Sequence, residues 1–260
     1  MRKIILTAFF AVAALSITSC NKMPEPIIDT PQATFALSVA NLMRNGLFTV
    51  FAYEEVTNAK VSSGGTLDNG VTLIKDGSDN VIGWKTNLID HDFFGGKIIV
   101  EYEPLTDGAV RHINCSEMTI QIPQLYVNLK LFGNITVEDR IMSATETVHK
   151  ITTNSFGWGE TANDISLEDV DYTFNCKWNA GGQLNITECK ISGESLGHHS
   201  KYLNFSQIID TEMSVGSNRF FTSGVMILYA NIGDGIKPIY VEFTSNSVIV
   251  KYKDETETIY

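Results

Sequence analysis

From Val71 onward the chain carries runs in which apolar residues recur at every second position, and this period constrains the fold more than any other feature. Successive side chains of a strand point to opposite faces, so a period of two is the signature of a half-buried β-strand. In Lys97-Ile98-Ile99-Val100-Glu101-Tyr102-Glu103 it places Ile98, Val100 and Tyr102 on one face and both glutamates on the other. Met118 to Ile122 alternates likewise, Tyr126 to Leu131 resumes after Pro123, and Ile135-Thr136-Val137 follows Gly133-Asn134. Further strands are expected at 170–178, 183–192, 201–209, 219–230, 237–244 and 247–253. Turn signals separate the runs: Asp76-Gly77, Gly95-Gly96, Asp107-Gly108, Gly181-Gly182 and Asp234-Gly235. Strands this closely spaced leave no length for the crossovers that parallel pairing needs, so they must pair antiparallel. The expectation is a mainly β domain, with antiparallel hairpins or a meander over 70–255 forming a sandwich- or barrel-like body.

One stretch obeys a different period. Over 32–57, Phe35, Val39, Leu42, Met43, Val50 and Tyr53 recur at three- and four-residue spacing, which predicts an N-terminal helix able to cover an apolar sheet face. Asp29 or Thr30 before Pro31 is a start signal. Gly46 lies inside the run and weakens it, leaving open two helices or a helix followed by a strand. Together these segments make one domain over 32–260.

Residues 1–19 are set aside as a signal peptide. Arg2 and Lys3 are followed by an uncharged, mostly apolar run from Ile4 to Ile17. That run is shorter than the roughly 20 residues a spanning helix needs. Ile17-Thr18-Ser19-Cys20 resembles the bacterial lipobox: an aliphatic residue, two small ones, then a cysteine whose thiol forms a thioether to diacylglycerol. Lipidation of Cys20 is expected, and with two or more acyl chains it gives a stable membrane anchor. Residues 20–31, with Pro24, Pro26 and Pro31, read as an extended tether.

Without Arg2 and Lys3 the 19 basic residues fall to 17 against 30 acidic ones, a net charge of −13 for the mature chain. Nucleic acid is an unsuitable partner, because binding it requires a basic stripe. The same acidity argues against a second, electrostatic hold on anionic lipid, leaving the Cys20 lipid to do the anchoring. Cys115, Cys176 and Cys189 remain, an odd number. Matching apolar faces across the 180–182 turn sets Cys176 opposite Ile186 and Cys189 opposite Thr173. The two cysteines then face opposite ways and are expected as buried thiols without a mutual disulfide.

Several runs resemble a group of uncharacterised Bacteroidetes lipoproteins: Gly96 to Tyr102, Arg111-His112-Ile113 and Leu131 to Val137. A closing hairpin, Ser223 to Ile227 and Ile239 to Phe243, belongs to the same pattern. The resemblance covers about 90–255 and rests on strand rhythm and glycines. It implies an envelope lipoprotein with a helix followed by paired hairpins. It implies no activity, cofactor or site residue.

Gly193-Glu194-Ser195-Leu196-Gly197 matches the G-x-S-x-G nucleophile elbow, but no acid stands between Ser195 and His198-His199, and parallel βα units are missing. It is expected as a polar hairpin loop. His198-His199 with Asp210 or Glu212, and Asp90-His91-Asp92, hold ligand types without a complete ligand set, so no metal is expected. Asp76 to Asn80 lacks the register of a calcium loop and reads as a turn. Glu101 and Glu103 share a strand face, whereas paired catalytic carboxyls flank a bond. Trp158, between Gly157 and Gly159, is either a ring folded onto the core or one exposed for a sugar or a protein partner. Trp84 and Trp178 read as core. The functional expectation is a lipid-anchored cell-envelope protein of the outer membrane, non-enzymatic and without cofactor, acting as a binding or structural module. The alternatives are glycan binding through Trp158, a serine hydrolase using Ser195, and an adhesin-type assembly through an exposed strand edge. Asn21 to Glu25 carries a single acid, compatible with either a periplasm-facing or a surface-exposed domain.

Overall fold

The computed structural model describes residues 30–67, 70–87, 94–95, 97–115, 118–122, 127–143, 146–160, 165–179, 183–216, 220–231 and 235–259. The side chains of Val50, Tyr53, Trp158, Cys176 and Trp178 lie outside this set. So do Asp90-His91-Asp92, the Gly181-Gly182 turn and the whole of 1–29.

The first element among the described residues is a helix, α1 (Pro31–Ser63). Thr30 caps it by accepting the Ala33 amide, and Pro31 occupies the first turn, where a missing N–H costs nothing. The helix runs past both Gly46 and the expected end at 57, because nothing before Gly64 supplies the left-handed residue that closes it. Gly64 does so at φ 65°. Ala33, Phe35, Ala36, Val39, Ala40, Leu42, Met43 and Leu47 are all buried, and solvent reaches Thr34, Ser38, Asn41 and Asn45 along one narrow stripe. A helix apolar round most of its girth must be enclosed, and burying each large side chain contributes about 1.5–3 kcal/mol.

Among the described residues fifteen strands follow. The first six are β1 (Val71–Lys75), β2 (Val81–Asn87), β3 (Phe94–Gly95), β4 (Lys97–Leu105), β5 (Gly108–Asn114) and β6 (Met118–Ile122). Four long ones come next: β7 (Val127–Ser143), β8 (Glu146–Glu160), β9 (Ile165–Asn179) and β10 (Gln183–His199). The last five are β11 (Leu203–Val215), β12 (Phe221–Asn231), β13 (Ile236–Phe243), β14 (Val248–Tyr252) and β15 (Glu255–Ile259). Every pairing is antiparallel. Thirteen strands form one meander in chain order, with β3 and β6 branching from β7. The sheet is not closed: β1 and β15 end its main path, and β3 ends the branch. Among the described residues no helix is long and apolar enough to cross a membrane.

A single row of residues crosses the sheet from β4 to β15, and it carries much of the core. It runs Tyr102, Arg111, Val137, Ile151, Tyr172, Gly193, Ile209, Met226, Val241, Val250 and Glu257. The inner face packs on α1, which touches β8, β9, β13 and β14. Phe35 is the pivot, meeting Tyr202 and Phe205 edge-on at centroid distances of 4.8 and 5.2 Å. Trp84 is fully buried, as expected. Strand β8 was not foreseen.

The β9–β10 hairpin starts in the expected register, with Leu184 opposite Trp178 and Asn185 opposite Lys177. A bulge between Asn185 and Lys190 then moves Thr173 opposite Ser192, so the anticipated pairing of Cys189 with Thr173 is wrong. Cys115 and Cys189 both carry buried thiols.

Candidate functional site

The G-x-S-x-G segment lies within β10, two residues short of its end, so the expectation of a hairpin loop at 193–197 is overturned. A continuing strand also removes the strand-to-helix turn on which a nucleophile elbow depends. Both glycines answer to packing. Gly193 adopts φ 125°, and a Cβ there would stand 2.1 Å from the Asp171 carbonyl oxygen. At Gly197 a Cβ would meet the Phe205 ring at 2.2 Å: the ring that packs on Phe35 lies across this glycine.

Ser195 itself is buried on the inner face in a polar cluster with Tyr172 and Gln207. Its hydroxyl donates to Gln207 Oε1 at 2.8 Å and lies 3.0 Å from the Tyr172 hydroxyl, which donates to the same Gln207 oxygen at 2.5 Å. Gln207 Nε2 turns to Met43 Sδ on α1 at 3.7 Å. Burial pushes the Tyr172 hydroxyl's pKa well up, against the smaller opposing effect of its Ser195 contact. The cluster is therefore neutral, and neither neighbour of Ser195 is a base able to take its proton. His198 is three residues on and faces the other way, its Nδ1 3.0 Å from Asn204 Oδ1. His199 shares the inner face but accepts the Lys201 amide and packs edge-on against Phe35.

A second cluster is ionised. Arg111 on β5, Asp139 on β7 and His149 on β8 meet on the inner face, with Asp139 directly opposite His149. Arg111 presents its Nε and Nη2 to the Asp139 carboxylate, the latter at 2.8 Å, and His149 Nδ1 contacts the same carboxylate. Arg111 Nη2 lies 3.2 Å from His149 Nδ1. Burial raises the pKa of Asp139, but the His149 hydrogen bond and the Arg111 charge outweigh it and hold the carboxyl below its usual range. Sequence reasoning did not single out these three residues. The available signal was Arg111 at an inward position of an alternating strand, a place where an isolated charge is too costly to leave unpaired.

Trp158 sits inside β8, its backbone paired between Leu131 and Leu167, both fully buried. Asp76 forms the expected turn: its carboxylate accepts the Ser78 and Asn80 amides at 2.8 and 2.9 Å and the Asn80 side-chain amide at 2.9 Å. These bonds, the Asn80 side chain first, lower its pKa. Glu101 and Glu103 are exposed on the outer face of β4, and Glu103 lies 3.4 Å from His112. Glu212 pairs with Lys190 at 2.9 Å. Among the described residues no three metal-ligating side chains converge. A half-open cleft of about 240 Å³ lies between the start of α1 and the β15 edge, lined by Thr30, Gln32, Tyr252, Glu255 and Glu257. Thr30 donates to Glu257 there, and the buried Tyr252 hydroxyl finds no partner among the described residues.

Compared with protein-family models, with curated proteins and with solved structures, the chain matches none.

Proposed function

We propose that the protein is a lipid-anchored cell-envelope protein of the Bacteroidetes type, held to the outer membrane through Cys20 and acting there as a non-enzymatic binding or structural module. The observation that carries the anchoring is Ile17-Thr18-Ser19-Cys20 behind an uncharged apolar run and ahead of a proline-rich tether. Support for a non-enzymatic role comes from Ser195, the residue best placed by motif for nucleophilic chemistry. Its hydroxyl is spent in a neutral, buried hydrogen-bond cluster. Growth of the expressing cells with a radiolabelled fatty acid tests the anchor. The wild type should take up label and sediment with membranes, and Cys20→Ser should do neither. Label retained in Cys20→Ser would refute the reading.

The second reading, glycan capture, rests on Trp158 in its Gly157-Trp158-Gly159 setting. Trp158→Ala would then abolish retention on immobilised envelope polysaccharide without unfolding the sheet; equal retention would eliminate it. Protease treatment of intact and of permeabilised cells separates the two faces of the membrane. Cleavage on intact cells places the domain outside and favours glycan capture, while protection until permeabilisation favours an envelope protein partner.

A further inference from the structure

Alternate turns of an antiparallel meander share one end of the sheet. The β10–β11 connection, the start of β13 and the β14–β15 connection therefore share one end of the sheet, and the chain enters the domain there. Tyr202 in the first of these turns donates to the Pro31 carbonyl at 3.3 Å, and Thr30 contacts Glu257 on β15. Two large apolar side chains project from the same turns. Ile236 is 71% exposed and Leu203 61% exposed. Leu203 also holds φ 57°, a left-handed conformation that a leucine disfavours, so neither burial nor backbone preference accounts for a leucine there. At or beside these connections stand Lys201, Lys237 and Lys253, against Asp234, Asp254 and Glu255 in the sequence, a balance of three to three. That balance stands apart from a mature chain of 17 basic and 30 acidic residues. The opposite end has exposed apolar residues too, Ile141 and Met142 in the β7–β8 hairpin, but there the Ile141 amide bonds to Asp107 and the chain entry is remote.

The chain entry favours the end that Tyr202 and Pro31 share. The ten residues from Cys20 to Thr30 can span at most about 35 Å, whereas the β7–β8 hairpin lies at the opposite end of strands as long as the 13-residue β11, about 40 Å. We propose that the end built on Leu203, Ile236 and the lysines at 201, 237 and 253 lies against the phospholipid surface that holds the Cys20 lipid. Leu203 and Ile236 enter the headgroup region, and the lysines face lipid phosphates. The acidity of the whole chain does not oppose this, because charges beyond about one Debye length, roughly 8 Å, are screened. The inference rests on the lipid anchoring proposed above, and it adds the orientation of the domain on the membrane.

The test is amide hydrogen exchange of the full lipidated chain on phosphatidylethanolamine–phosphatidylglycerol vesicles, compared with the full-length Cys20→Ser chain in buffer. Exchange should slow at 200–204 and 235–238 on vesicles and stay unchanged at 140–143. The double variant Leu203→Asp, Ile236→Asp, altered only at exposed positions, should still float with vesicles through its lipid but lose the slowing at both turns. Unchanged exchange at both turns, in a chain that floats and carries the lipid mass on Cys20, overturns the docking and leaves the anchoring intact. Slowing at 140–143 instead would reverse the orientation and overturn it equally. A chain that neither floats nor carries lipid mass on Cys20 refutes the anchoring, and the docking with it.

Discussion

Tyr172, Ser195 and Gln207 form a neutral cluster on β9, β10 and β11, whereas Arg111, Asp139 and His149 form an ionised one on β5, β7 and β8. Both lie on the inner face of one sheet, and Arg111 and Tyr172 even share the row that crosses it. They differ in what a lost partner would leave behind. In the neutral cluster a missing hydroxyl strands a dipole, and the survivors still bond to one another. In the ionised cluster a missing carboxylate strands a buried guanidinium, and desolvation makes that far more costly. Polar groups inside this sheet are tolerated in both forms, but only the ionised form makes stability depend on pH.

The largest effect should therefore come from Asp139→Ala, which removes the carboxylate that Arg111 and His149 share. A loss of about 3–5 kcal/mol in urea unfolding is expected. A cost near that of Ser195→Ala would show that the two clusters do not differ in kind. Gly197→Ala comes next, at about 1–3 kcal/mol, because the added methyl must displace the Phe205 ring. Its effect is steric, so Gly197→Ala combined with Phe205→Leu should cost less than the sum of the two single changes, and strict additivity would contradict the ring-over-glycine contact. Ser195→Ala should cost only about 1 kcal/mol, since the Tyr172–Gln207 bond survives. Smallest of all, Tyr252→Phe removes a buried hydroxyl that has no partner among the described residues and should leave stability unchanged or raise it by about 1 kcal/mol. A clear loss there would mean that the hydroxyl is bonded in solution.

Much of this architecture is legible in the sequence because a half-buried antiparallel strand writes its period directly. Ile98, Val100 and Tyr102 turned inward and Glu101 and Glu103 outward as their alternation requires. Thr30 and Pro31 likewise announced the start of α1. The failures have physical causes. Strand β8 was missed because its inward residues include His149, and Val148 and Ile151, three apart, break the period. The register of Cys189 was missed because a bulge leaves no mark in an alternating pattern until the partner strand is known. The hairpin loop expected at 193–197 was wrong because glycine signals a turn only statistically. Here Gly193 relieves a backbone clash and Gly197 makes room for a ring contributed from another strand. The ionised cluster was least legible of all. Asp139 and His149 meet across a hairpin, Arg111 comes from a strand earlier in the chain, and none of the three spacings matches a motif.

The most direct test of the contrast between the clusters is urea unfolding of the wild type, Asp139→Asn and Ser195→Ala at pH 7 and at pH 3. The folded pKa of Asp139 is lowered, so its contribution is complete above the unfolded value of about 3.9 and is lost as pH falls from there toward the folded value. Wild type and Ser195→Ala should lose the same stability between the two pH values, and Asp139→Asn should lose distinctly less. Equal losses in all three proteins would contradict the account, because they would mean that the Arg111–Asp139–His149 cluster is not held together by charge.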